Sequence, residues 1–146
     1  MANPKPSNCT VFINIWVDVE ALQANQSTGC YIVDNQCGAN PPSQNEGSSS
    51  LVTSVPQGAT ICWTILPIDP QFANTLTITN MQQGSTGFAQ VPSAYSSTAP
   101  QIAGQTWTGQ LVSNSTGGNY SQTINCNATT WNGGTSFTVT PQIYIY

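Results

Sequence analysis

TVFINIWVD, Thr10 to Asp18, alternates with a period of two. Val11, Ile13, Ile15 and Val17 fall on one side; Phe12, Asn14, Trp16 and Asp18 fall on the other. A helix would spread those four aliphatic residues around its circumference, whereas a strand lines them along one face. The stretch therefore predicts a β-strand with a buried apolar side. Similar runs recur at CYIVD (30–34), SLVTSV (50–55), ATICWTIL (59–66), NTLTITNM (74–81), QTWTGQLV (105–112), YSQTINC (120–126) and TSFTVTPQIYIY (135–146). ATICWTIL is almost wholly apolar or β-favouring, which predicts a central strand. Gly109 is a candidate bulge, and Pro141 suggests an edge or bulge in the last run. Turn-forming clusters such as NQSTG, VPQG, PIDPQ, QQGSTG and WNGG separate the runs. The one helical signal is a turn or two around Glu20–Ala24. The pattern predicts an all-β chain: a single antiparallel β-sandwich or jelly-roll-like domain of about eight strands over 1–146, with 1–8 as an N-terminal tail or arm.

Charge is the compositional outlier. Only 4% of the 146 residues are charged, against roughly 25% in ordinary soluble domains. Surface polarity must come from Ser, Thr, Asn and Gln. These short neutral groups pack against one another at little desolvation cost, and a formal net charge of −4 gives weak repulsion between copies. Such a surface suits a homo-oligomer or a denser assembly. A single basic residue, Lys5, excludes a phosphate-binding surface and with it nucleic acid. The longest apolar run, Val11 to Val17, is broken by Asn14 and too short to enter a bilayer. The opening MANPKPSNCT has no apolar leader core, so the expectation is synthesis in the cytoplasm, with residence in inclusions or release later.

The chain has no His and no Arg, which removes Ser–His and Cys–His nucleophiles, most zinc chemistry and bidentate carboxylate clamps. GSTGF and STGGN lack the Walker lysine and read as hairpin turns. The acids Asp18 and Glu20, two residues apart, would share a face if the first strand reached them. They would then raise one another's pKa, and Asp34 or Asp69 would complete a carboxylate site or help hold Ca²⁺. The competing structural reading has them end the strand and cap the next turn. The expectation is therefore no enzyme and no required cofactor, with calcium at Asp18, Glu20 and Asp34 as the alternative.

Of the four tryptophans, Trp63 reads as core and Trp16 as core or interface. Trp107 and Trp131 sit among Thr, Gly, Asn and Gln. With Asn132 they have the composition of a sugar-stacking platform, and packing beneath a loop is the alternative. Five cysteines, an odd number, read as small apolar thiols in a reducing compartment; Cys30 and Cys37, flanking a short loop, form the internal disulfide pair if oxidation occurs. Asn-x-Ser/Thr occurs at Asn8, Asn25, Asn114, Asn119 and Asn127, as expected by chance in a chain so rich in these residues.

VDVEAL (17–22) resembles the acidic segment that closes the first strand in bacterial inclusion-body proteins of the AidA/PixA type. The resemblance continues through YIVDN (31–35), VPQGATICWTILPIDP (55–70), WTGQL (107–111) and FTVTPQIYI (137–145). It implies a β-sandwich that accumulates in the bacterial cytoplasm, often as crystalline inclusions, and it carries over no functional residues. The scarcity of Lys and Arg and the extra cysteines depart from that pattern. The combined expectation is a non-enzymatic self-assembling structural protein forming an ordered inclusion, crystal or filament. The alternative is a carbohydrate-binding, lectin-like module with glycan partners.

Overall fold

The computed structural model of the chain describes residues 3–25, 28–69, 75–83, 87–95, 105–114, 117–130 and 133–146. The opening alternation becomes β1, Val11–Val17, whose Val11, Ile13, Ile15 and Val17 are all buried in one hydrophobic core. Asp18 ends the strand, and α1, Val19–Ala24, follows at once. The remaining strands are β2 (Cys30–Asp34), β3 (Val52–Val55), β4 (Thr60–Pro67), β5 (Leu76–Gln83), β6 (Phe88–Ala94), β7 (Thr106–Leu111), β8 (Gly118–Thr130), β9 (Gly133–Val139) and β10 (Gln142–Ile145). They form two sheets, ordered β2-β1-β4-β7-β6 and β3-β10-β8-β5, with β9 also paired to β8. The core lies between the two sheets, as an all-β sandwich requires.

Two features differ from the expected all-antiparallel arrangement of about eight strands. β1 runs parallel to β4, and β10 runs parallel to β3. Side-chain alternation fixes which face a strand buries, but it is the same whichever way the neighbour runs. The described strands also number ten. One addition arises because TSFTVTPQIYIY divides at Thr140–Pro141 into β9 and β10, both on the same side of β8. Proline supplies no ladder N–H, and the pairing breaks there although β10 is an inner strand.

The other addition, β6 (FAQVPSA), has weak alternation and an internal proline. It occupies the edge of the first sheet with irregular register against β7. Gly109 pairs regularly with Ile61 of β4, and the irregularity expected there falls on β6, whose register shifts opposite it between Gln90 and Ser93. A Cβ at Gly109 would lie 3.1 Å from the Gln90 carbonyl oxygen and from Pro92 Cγ, so glycine permits the close approach of β6.

Residues 3–9 lie against the first sheet. Pro6–Asn8 forms a 3₁₀ turn, and Asn3 Nδ2 donates to the Ser93 carbonyl on β6 at 3.1 Å. Cys9 meets Cys62 of β4. The segment thus runs over the outer face of the first sheet from β1 towards β6. Cys62 and Thr108, which face outward by register, lie on that path and are buried.

Two tryptophans stand side by side in the core, paired across β4 and β7 as Trp63 and Trp107. Trp63 is fully buried at the centre and tilts against Phe88 at 6.4 Å between ring centroids.

Candidate functional site

The acidic pair that opened the functional question separates into two structural roles. Asp18 is the N-cap of α1, and its Oδ1 accepts a hydrogen bond from the Ala21 N–H at 3.1 Å. Glu20 is exposed in the first turn, where a negative charge meets the positive end of the helix. Because β1 stops at Val17, the two side chains do not share a strand face. Replacing Asp18 with alanine should lower stability by about 0.5–2 kcal/mol, the usual loss for a helix cap, while asparagine keeps the acceptor and most of the stability. Urea unfolding of the two variants checks this.

Asp34 does not join them. It sits at the far end of β2, opposite Ile13, whereas Cys30 at the other end pairs with Val17 just before Asp18. At about 3.3 Å per residue this separates the acids by roughly 15 Å along the ladder. Among the described residues no three His, Cys, Asp or Glu side chains come together as a metal site. The trio Asp18, Glu20 and Asp34 therefore does not converge on one cation.

Asp34 instead meets Glu46, a partner the sequence reading missed. The Asp34 N–H donates to Glu46 Oε2 at 3.1 Å, and Asp34 Oδ1 accepts from the Gln36 N–H at 2.7 Å. The loop bearing Glu46 is tied to β2 on both sides: Gly47 N–H donates to the Ile32 carbonyl at 2.8 Å, and Ile32 N–H donates to the Ser48 carbonyl at 3.3 Å. Partial burial, and then the shared hydrogen bond with Asp34, push the Glu46 carboxyl from its ordinary 4.5 up to about 7. The native protein thus holds a proton on Glu46 over a range in which the unfolded chain has released it. Stability should fall as pH rises from about 4.5 to about 7 and level off above that. Glu46 is exposed, so solvent screening limits the change to less than about 1 kcal/mol. Glu46→Gln, which donates to Asp34 at every pH, should flatten the dependence of the urea midpoint on pH.

This carboxyl pair is unsuited to glycosidic chemistry. Such enzymes hold their two carboxyl groups about 5–9.5 Å apart on either side of the scissile bond. Here the acids touch, and one oxygen of each, Glu46 Oε2 and Asp34 Oδ1, accepts from a backbone N–H.

Of the proposed platform residues, Trp131 and Asn132 lie outside the described residues. Trp107 is 8% exposed, and its indole N–H donates to the Ile78 carbonyl at 3.0 Å, linking β7 to β5 of the opposite sheet. It is a core side chain, whereas a platform needs an open ring face. Its neighbours Thr106 and Thr108 flank it because they point to the other face of the strand.

Cys30 and Cys37 flank the strand β2, not a loop as expected. Cys30 begins β2 and Cys37 lies beyond its end. Four strand steps to Asp34 already span about 13 Å, and a disulfide tolerates about 7 Å between Cα atoms. All five cysteines are free thiols. Burial pushes Cys9 and Cys126 up to about 12 and Cys30 up to about 11, and it raises Cys62 as well. These four stay protonated at neutral pH and behave as small apolar groups.

Two of the exposed large apolar side chains among the described residues share the outer face of β2, β1 and β4. Phe12 (38% exposed) and Tyr31 (45% exposed) stand there, with half-buried Trp16 between Tyr31 and Leu66 in register. The outward positions of these three strands, 12, 14 and 16 with 31 and 33 and with 62, 64 and 66, include no carboxylate and no basic residue.

Residues 9–132 match the family described as Domain of unknown function (DUF8788). The chain belongs to that family. No curated protein matches it by sequence. Among solved structures, this DUF8788 protein is similar to the crystal structure of the inclusion body protein PixA from Burkholderia cenocepacia J2315. The TM-score is 0.63 with 13% identity, covering 99% of this chain and 100% of that one. Identity that low establishes a shared fold over the full length. The strand pattern that suggested an AidA/PixA likeness is therefore common to both at the level of architecture. No helix among the described residues of the DUF8788 chain is long and apolar enough to cross a membrane.

Proposed function

We propose that this protein is a non-enzymatic structural protein that self-associates into an ordered inclusion, placing it functionally beside the inclusion body proteins whose fold it shares. The observation that carries the reading is the outer face of β2-β1-β4, whose strand positions bear aromatic rings and no charged side chain, on a molecule with a single basic residue. Two such faces come together without desolvating an ion, and the surrounding amides and hydroxyls bond across the contact. Exposed apolar patches with polar rims mark interaction surfaces in general. The absence of His and Arg from the chain, the capping role of Asp18 and the closed contact of Asp34 with Glu46 support a role without catalysis or a cofactor.

Charge placed on that face tests the proposal. Phe12→Lys combined with Tyr31→Lys puts two ammonium groups where two copies would meet. The double variant should keep its far-UV spectrum and stay in the supernatant under conditions that pellet the unmodified protein. Val91→Lys, on β6 at the other edge of the same sheet, should assemble normally. Assembly by the double variant equal to that of the unmodified protein would remove this face from the account.

A further inference from the structure

The loop from Pro41 to Gln44 stands over the outer face of the second sheet and encloses a cavity of about 300 Å³. Its floor is a row across three strands: Ser54 on β3, Tyr144 on β10 and Asn119 on β8, each paired in register with the next. Val52 lies one pleat along from Ser54, while Pro41, Pro42 and Gln44 form the wall. The wall is fixed in place. Gln44 and Val52 exchange two backbone hydrogen bonds of 2.9 Å, and the Ser54 N–H donates to Ser43 Oγ at 2.9 Å. One observation marks this cavity as more than a fold between loop and sheet. Ser54, one of the lining residues, is 1% exposed, and its hydroxyl has no hydrogen-bond partner within the protein. A buried hydroxyl left unpartnered costs about 1–3 kcal/mol, so a ligand that supplies its partner gains by doing so.

We infer that this cavity is a binding site for one ring of a neutral sugar. The lining disfavours charged ligands. It holds no carboxylate, ammonium or guanidinium, so neither an anion nor an amine would find a counter-charge. It offers instead the two things a pyranose needs. Apolar ring faces come from Pro41, Pro42 and Tyr144, and donor–acceptor groups come from the side chains of Gln44, Asn119 and Ser54. The volume sits at the lower end of the roughly 300–1,000 Å³ typical of ligand pockets, which suits a single ring. The site lies on the sheet opposite the proposed assembly face, so its occupancy and self-association are separable.

Saturation-transfer NMR on the full chain, with a panel of neutral methyl hexosides and deoxyhexosides and methyl glucuronide as the charged control, tests the inference. Neutral glycosides should show transfer and the glucuronide none. Ser54→Ala should weaken binding about tenfold. Its thermal midpoint should hold or rise, because the change deletes a hydroxyl without a partner in the free protein. Gln44→Ala, at an exposed wall position, should weaken binding without affecting the fold. Silence from every neutral glycoside would overturn the proposal. So would transfer that survives both substitutions unchanged, or a preference for a proline-rich peptide over the sugars. Loss of self-association in the Phe12→Lys/Tyr31→Lys protein should leave sugar binding intact.

Discussion

Trp63→Ala is expected to lower stability by about 3–5 kcal/mol, the range for removing a fully buried large aromatic side chain. Native domains hold only about 5–15 kcal/mol in total, so this one change removes a large share. Trp63 sits in β4, the central strand of the first sheet, beside Ile13 of β1 and Trp107 of β7. Its ring lies in the middle of the core against Phe88. Trp63→Phe should cost much less than Trp63→Ala. The Trp63 indole N–H is buried without an acceptor, so phenylalanine gives up area while deleting an unsatisfied donor. The same exchange at Trp107 removes the 3.0 Å bond that the Ile78 carbonyl accepts across the core. Trp107→Phe should therefore be the more damaging of the two phenylalanine variants. Urea unfolding followed by far-UV circular dichroism, which does not rely on the tryptophan signal, measures all three.

The second large effect comes from the smallest residue in the β1–α1–β2 corner. Gly29 has φ +89°, and a Cβ there would lie 2.8 Å from the Asp18 carbonyl oxygen and 3.0 Å from the Leu22 nitrogen. Those two atoms form the first hydrogen bond of α1, at 3.0 Å. Gly29→Ala therefore adds a left-handed-region penalty of about 1–2 kcal/mol. It also forces the helix start away from β1. A total loss of about 3 kcal/mol is expected, in the range that a strained backbone with a broken cap produces. Gly47, with φ +82° and open space around its missing Cβ, provides the control. Gly47→Ala should show only the backbone penalty, about 1–2 kcal/mol. Equal losses at the two positions would mean that the corner yields and the contact with α1 carries little.

These contrasts follow how far the sequence could be read. The inward set of β1 and the central place of ATICWTIL follow from alternation and apolarity, which are local properties. The cap at Asp18 was legible too, because an acid directly after a strand and before a helical turn has a defined job. Strand direction was not legible, since the β1–β4 and β3–β10 pairs depend on where distant segments lie. β6 escaped because its place in the sheet comes from docking against Gly109 and not from its own pattern. The polar neighbours of Trp107 in the chain left a platform and a packed ring both open, whereas period two places those neighbours on the opposite face and the ring in the core. Glu46 and Ser54 gave no signal by themselves. Each acquires its role only when the loop between β2 and β3 folds back over the sheets.

Sedimentation velocity of the full chain near neutral pH, across a series of rising protein concentrations, tests self-association most directly. The prediction is a species that grows with concentration and persists at high salt, because contacts made by aromatic rings and neutral amides are not screened by ions. A single sharp boundary at the mass of one chain, unchanged up to the highest concentration, would contradict it.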